Sequence, residues 1–136
     1  MTNQTSSILY AIGRAGLASL FILGGVNKIL NFDTTLATIE ATILTPPLLF
    51  LVGTIDLELI FGLALALGTR FAGWAALGLA VFTLATNVLF HRFWEMSGEV
   101  QALELSLFFK NIAIVGALLA LASIEDQRQS GTKQAG

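Results

Sequence analysis

The stretch LLFLVGTIDLELIFGLALAL, residues 48–67, is almost unbroken apolar sequence that nevertheless carries two carboxylates, Asp56 and Glu58. A helix that crosses a membrane needs about 20 such residues, because the hydrocarbon core is about 30 Å thick and an α-helix rises 1.5 Å per residue. Pro46 and Pro47 stand directly before it. Proline suits a first helical turn and stops a preceding helix. The segment reads as a membrane span.

Three further segments pass the same test: about Ile8 to Val26, Ala72 to Phe90, and Leu103 to Ser123. None contains proline, and none alternates with the period of two that a β-barrel requires. Composition agrees. Of 136 residues, 55% are hydrophobic and 12% charged, roughly half the charged share of an ordinary soluble domain. So little charge cannot cover the surface of a small protein in water. The lack of cysteine excludes a disulfide framework or a thiolate metal centre, and a net charge of −2 offers no basic footprint for nucleic acid.

The expected fold is therefore all-α: an integral membrane antiparallel four-helix bundle. The N-terminus has no basic signal-peptide region and its apolar run is too long for one, so the run is read as a retained first span. A single domain covers 1–124, followed by a polar, frayed cytoplasmic tail over 125–136. Four spans put both termini on one side. Arg14, Arg70, Arg128 and Lys133 lie on or nearest that side, against Lys28, Arg92 and Lys110. The positive-inside bias then places both termini in the cytoplasm. The first loop, about 20 residues between Asn27 and Pro46, is too long for a bare turn. Its segment Thr34 to Leu44 spaces Leu36, Ile39, Ile43 and Leu44 like a short interfacial helix.

Charges inside spans are costly and usually face a bundle interior or a cavity. This chain places Arg14 in span one, Asp56 and Glu58 in span two, and Glu104 and Lys110 in span four, with Asn87 and Asn111 as neutral polar groups. By helical rise, Asp56 lies about 12 Å deep and Lys110 about 10 Å deep from the same side, which matches them as a pair. Glu58 lies about 3 Å deeper, and Arg14 is its nearest cation. Lys28 has Asp33 and Glu104 as candidate partners. Positions 56 and 58 are about 200° apart around a helix, so one carboxylate faces the interior and the other a lateral neighbour. Three readings stand for the set: structural ion pairs, a substrate or proton site, and a subunit interface.

Ala72, Ala76 and Ala80 share one helix face, as do Ala113 with Ala117 and Gly116 with Ala120; small residues at this spacing let helices approach closely. Trp74 and Trp94 suit the aromatic belts at the two membrane surfaces. His91, the single histidine, is read either as an interfacial hydrogen-bonding group or as a proton-exchanging group at the mouth of the bundle. With no cysteine or second histidine beside it, zinc or haem ligation is not expected. No Ser-His-Asp arrangement or nucleotide-binding glycine motif occurs.

The order of these residues resembles the DoxX family of small bacterial four-helix membrane proteins, from about Gly13 to Ala122. The carriers are Gly13-Arg14, Gly24-Gly25 with Lys28, Glu58 and Gly62, Gly68 with Arg70, His91 with Phe93-Trp94, Phe109-Lys110-Asn111, and Gly116. Asp56 is outside the pattern, and Ala117 stands where a second glycine often follows Gly116. The resemblance implies a multi-pass protein of the bacterial inner membrane. The family is named for a subunit associated with thiosulfate:quinone oxidoreduction.

The expected role is an accessory or structural subunit of a larger inner-membrane complex, redox or energy-converting, rather than a catalyst on its own. Its partners are membrane lipids and other membrane subunits. The alternative is a quinone-binding oxidoreductase subunit in which Arg14, Glu58, His91 and Lys110 line a polar cavity among apolar walls. The chain has no cofactor motif of its own, so a redox role needs quinone, another lipid or a partner. A carrier or cargo receptor ranks third, because broken helices and inverted repeats are missing.

Overall fold

The computed structural model describes residues 2–134, with side chains through 131. Five α-helices follow one another: α1 Asn3–Leu30, α2 Phe32–Glu40, α3 Pro47–Leu67, α4 Ala72–Phe90 and α5 Gly98–Gln134. A 3₁₀ turn over Phe93–Glu95 precedes α5, and no strand occurs among the described residues. The all-α class stands. Helices α1, α3, α4 and α5 are each long and apolar enough to cross a membrane.

Local chemistry sets the helix ends. Thr2 caps α1, its hydroxyl accepting the Thr5 N–H at 3.2 Å. Pro47 opens α3, and Gly68 closes it in the left-handed region at φ 63°, its N–H reaching the Ala64 and Leu65 carbonyls. A residue without a Cβ adopts that conformation at little cost. Helix α2 ends earlier than the apolar spacing predicts. Thr42 donates its hydroxyl to the Ile39 carbonyl at 2.6 Å and accepts the Leu44 N–H at 3.2 Å, which turns the chain before Pro46.

At the C-terminus the sequence expectation needs correction. Helix α5 does not fray after Ser123 but continues to Gln134 through most of the expected tail. Glu125, Gln127, Arg128 and Gln129 are tolerable or good helix formers, and their polarity is compatible with a helix that has left the apolar span. Residues 135 and 136 of that tail, and the side chain of Lys133, lie outside the described residues.

The chain divides into two compact units, Met1–Thr69 and Arg70–Gly136. In the first, α1 and α3 pack together and α2 rests on α3. A Cβ built on Gly62 would meet Ile22 Cγ1 at 2.9 Å, and one on Gly25 would meet Leu59 at 2.9 Å. The contacts thus run in opposite order, so α1 and α3 are antiparallel and nearly touch at glycine. Ala18, Phe21, Leu51, Ile55 and Leu65 are buried.

In the second unit α4 packs on α5. The Ala72, Ala76 and Ala80 face is buried as the spacing predicts. The predicted small-residue faces of α5 are not. Ala113, Gly116, Ala117 and Ala120 are exposed, and Leu118, Leu121 and Ala122 are buried in their place. Large apolar side chains such as Ile12, Leu23, Val81 and Leu119 are exposed, as befits helices solvated by lipid.

Candidate functional site: polar pairs within apolar helices

Glu58, on the face of α3 that meets α1, is only 5% exposed. Lys28 Nζ donates to its Oε1 at 2.9 Å and its Oε2 at 2.8 Å. Gly24 makes room for the carboxylate, since a Cβ there would lie 3.3 Å from Glu58 Oε1. The lysine stem spans the rest, because helical side chains lean toward the N-terminus and Lys28 covers the turn at Gly24. This corrects the depth argument that gave Glu58 to Arg14, and it replaces Asp33 and Glu104 as candidates for Lys28. The 200° rule holds: Asp56, two residues from Glu58, is exposed.

Arg14 sits at the other end of the same unit. Its guanidinium lies directly against Gly68, over the C-terminus of α3, with its carbon 5.4 Å from the Tyr10 ring centroid. A cation there meets the negative end of the helix dipole. Arg14 and Lys28 are separated along α1 by about 21 Å at 1.5 Å per residue. Arg14 thus meets α3 at Gly68, ten residues beyond Glu58.

In the second unit the polar groups form two steps along the α4–α5 seam. Asn87, fully buried, donates to the Phe108 carbonyl at 3.1 Å and accepts from Asn111 Nδ2 at 3.0 Å. Nearer the 3₁₀ turn, His91 Nδ1 and Glu104 Oε2 are 2.8 Å apart, with the side chains 27% and 19% exposed. Phe93, Trp94, Phe108 and Phe109 form a chain of edge-on ring contacts at centroid distances of 5.2 to 6.0 Å. Lys110 is exposed on α5. Asn87 holds Asn111 in place, and a neutral polar residue within an apolar span was the sequence signal for that role.

A carboxylate on one imidazole nitrogen fixes the ring and leaves the other nitrogen to accept or release a proton. Among the described residues no group of three or more His, Asp or Glu side chains could hold a metal ion.

Four apolar helices, with an ion pair in the α1–α3 seam and a histidine–carboxylate hydrogen bond at the end of the α4–α5 seam, define a multi-pass α-helical membrane protein. Comparison with known proteins makes this specific. The DoxX family model matches residues 9–92, ending short of the Ala122 limit drawn from the motifs. "Inner membrane protein YphA" of Escherichia coli (strain K12) is 30% identical over 115 residues, covering 85% of this chain and 81% of that protein. No solved structure matches. The chain belongs to the DoxX family, and its location is the inner membrane.

Proposed function

We infer that this DoxX-family protein is an accessory subunit, assembling laterally with other membrane helices in a redox or energy-converting complex. One observation carries the reading. Asp56 on α3 and Lys110 on α5 are exposed within membrane-spanning helices, and neither makes a hydrogen bond or ion pair among the described residues. A bare charge in hydrocarbon costs several kcal/mol, so each group calls for a counter-charge outside its unit, either the other of the two, as their matched depths expect, or a charge on another subunit. The exposed small-residue face of α5, Ala113, Gly116, Ala117 and Ala120, suits close approach by another helix.

Extraction in mild detergent, native gels and mass spectrometry of the retained species test this. Other membrane subunits are expected to co-purify, and Asp56→Asn or Lys110→Gln to release them. A chain that never retains a second subunit overturns the reading.

A second reading, a quinone-binding subunit, draws support from the His91–Glu104 pair beside the aromatic cluster: a proton-handling group next to ring walls. Quinone in the purified protein, lost on His91→Phe, is its expected signature. Membranes without quinone-dependent electron transfer through the complex count against it.

A further inference from the structure

The α4–α5 unit carries a groove of about 350 Å³ away from both of its polar pairs. Trp74, Leu77 and Leu119 give its apolar lining, and Ser123, Asp126 and Gln129 its polar lining. Behind it the backbones come close. A Cβ on Gly73 would lie 3.4 Å from Glu125 Cβ and 3.5 Å from the Ala122 carbonyl oxygen. Trp74 is 75% exposed and Leu119 50%, so these apolar groups face the surroundings. Asp126 and Ser123 are exposed and Gln129 half-buried, and none of the three makes a hydrogen bond or ion pair among the described residues.

Depth sorts these groups. Helices α4 and α5 run in opposite directions, as the Gly73–Ala122 and His91–Glu104 contacts require. Trp74, the third residue of α4, therefore lies at the same end of the unit as Asp126. The apolar sequence of α5 stops there, and tryptophan prefers that boundary. Leu77 lies one turn deeper along α4, and Leu119 about 10 Å deeper than Asp126 along α5. The groove has a polar mouth at the membrane surface and an apolar depth. That is the profile of an amphiphile.

The mouth also selects a headgroup. A carboxylate beside an indole attracts an ammonium, through a charge-assisted hydrogen bond and the negative face of the ring. The Ser123 hydroxyl and the Gln129 amide are donors suited to phosphate oxygens. A phosphate with no ammonium would face the Asp126 charge uncompensated.

The geometry points to a binding site for one zwitterionic phospholipid with an ammonium headgroup. Its ammonium sits between Asp126 and Trp74, its phosphate on Ser123 and Gln129, and the start of one acyl chain on Leu77 and Leu119.

Native mass spectrometry of the full chain in mild detergent, titrated with phosphatidylethanolamine or phosphatidylglycerol of matched acyl chains, tests the assignment. Phosphatidylethanolamine is expected to be retained preferentially. Asp126→Asn should weaken that retention about tenfold, roughly 1.4 kcal/mol. Leu119→Trp, which fills the groove from an exposed position, should abolish it, with the thermal midpoint of each variant unchanged. Trp74→Ala, also exposed, substitutes for any variant that does not fold. Equal retention of the two lipids overturns the proposal. So does retention of phosphatidylethanolamine that a folded variant leaves unchanged.

Discussion

Lys28 Nζ bonds both carboxylate oxygens of Glu58, at 2.9 and 2.8 Å, across 30 residues of sequence. The carboxylate side chain is 7% exposed and the lysine 25%. The anion is thus held inside the α1–α3 contact while the cation reaches in from its edge. One amine satisfies a group that apolar surroundings would otherwise leave bare.

Removing one partner of a buried pair strands the other, at a cost on the order of 3 kcal/mol, whereas removing both is milder. Glu58→Gln and Lys28→Gln are each expected to lower the folded yield in membranes and the thermal midpoint in detergent. The double variant should recover part of the loss. A double variant no better than the worse single one would show that the two side chains act independently.

Gly68 answers to two constraints, its φ of 63° and the Arg14 guanidinium against it. Gly68→Ala is expected to cost about 1–2 kcal/mol from the backbone conformation alone, plus the displacement of Arg14. Gly13 is the contrast, for a Cβ there meets nothing within 4 Å. Gly13→Ala, inside α1, should be neutral or stabilising by up to about 1 kcal/mol. Denaturation of both variants in mixed micelles compares them directly, and equal costs would remove both constraints on Gly68 from the account.

Asn87 makes two hydrogen bonds with no exposure at all. Asn87→Ala is expected to destabilise by about 1–3 kcal/mol, because the Asn111 amide loses its acceptor and a void opens. Asn111→Ala, at a half-buried position, should cost less. The reverse order in unfolding experiments would place the anchor of this seam on α5 rather than α4.

His91 and Glu104 tie the end of α4, just before the 3₁₀ turn, to α5. A net hydrogen bond of about 1 kcal/mol implies roughly fivefold faster amide exchange over residues 91–97 once it is removed. His91→Phe is expected to show that acceleration and Glu104→Gln a smaller one, with α1–α3 amides unaffected. Unchanged exchange in His91→Phe would mean that the aromatic contacts alone hold the segment.

Much of this was legible in the residues. Twenty apolar positions, a proline pair before Leu48 and a glycine at 68 were enough to place α3 within a residue of its observed bounds. The partner of Glu58 was not read, because counting depth along straight helices treats a side chain as a point at its Cα. Lysine reaches along its own helix, and Gly24, four residues before Lys28 on the same face, was the vacancy that marked where it reaches. The buried face of α5 was misplaced for a different reason. Small residues license close packing on any face that bears them, and α5 bears them where Leu118 and Leu121 do not point. The continuation of α5 past Ser123 was hidden by the change of solvent, since hydropathy marks where a span ends but not where a helix does.

The separation of Lys28 from Glu58 also has a consequence for biogenesis. At translation rates of about 5–20 residues per second, the lysine precedes its counter-ion by about 1.5–6 s. During that interval α1 has no α3 to pack on, and its cation must wait at the water boundary. Glu58 then enters the bilayer beside an amine already in reach, so it need never cross hydrocarbon as a solitary anion. Docking of the third helix on the first is thereby coupled to its insertion, with the ion pair forming as Glu58 enters.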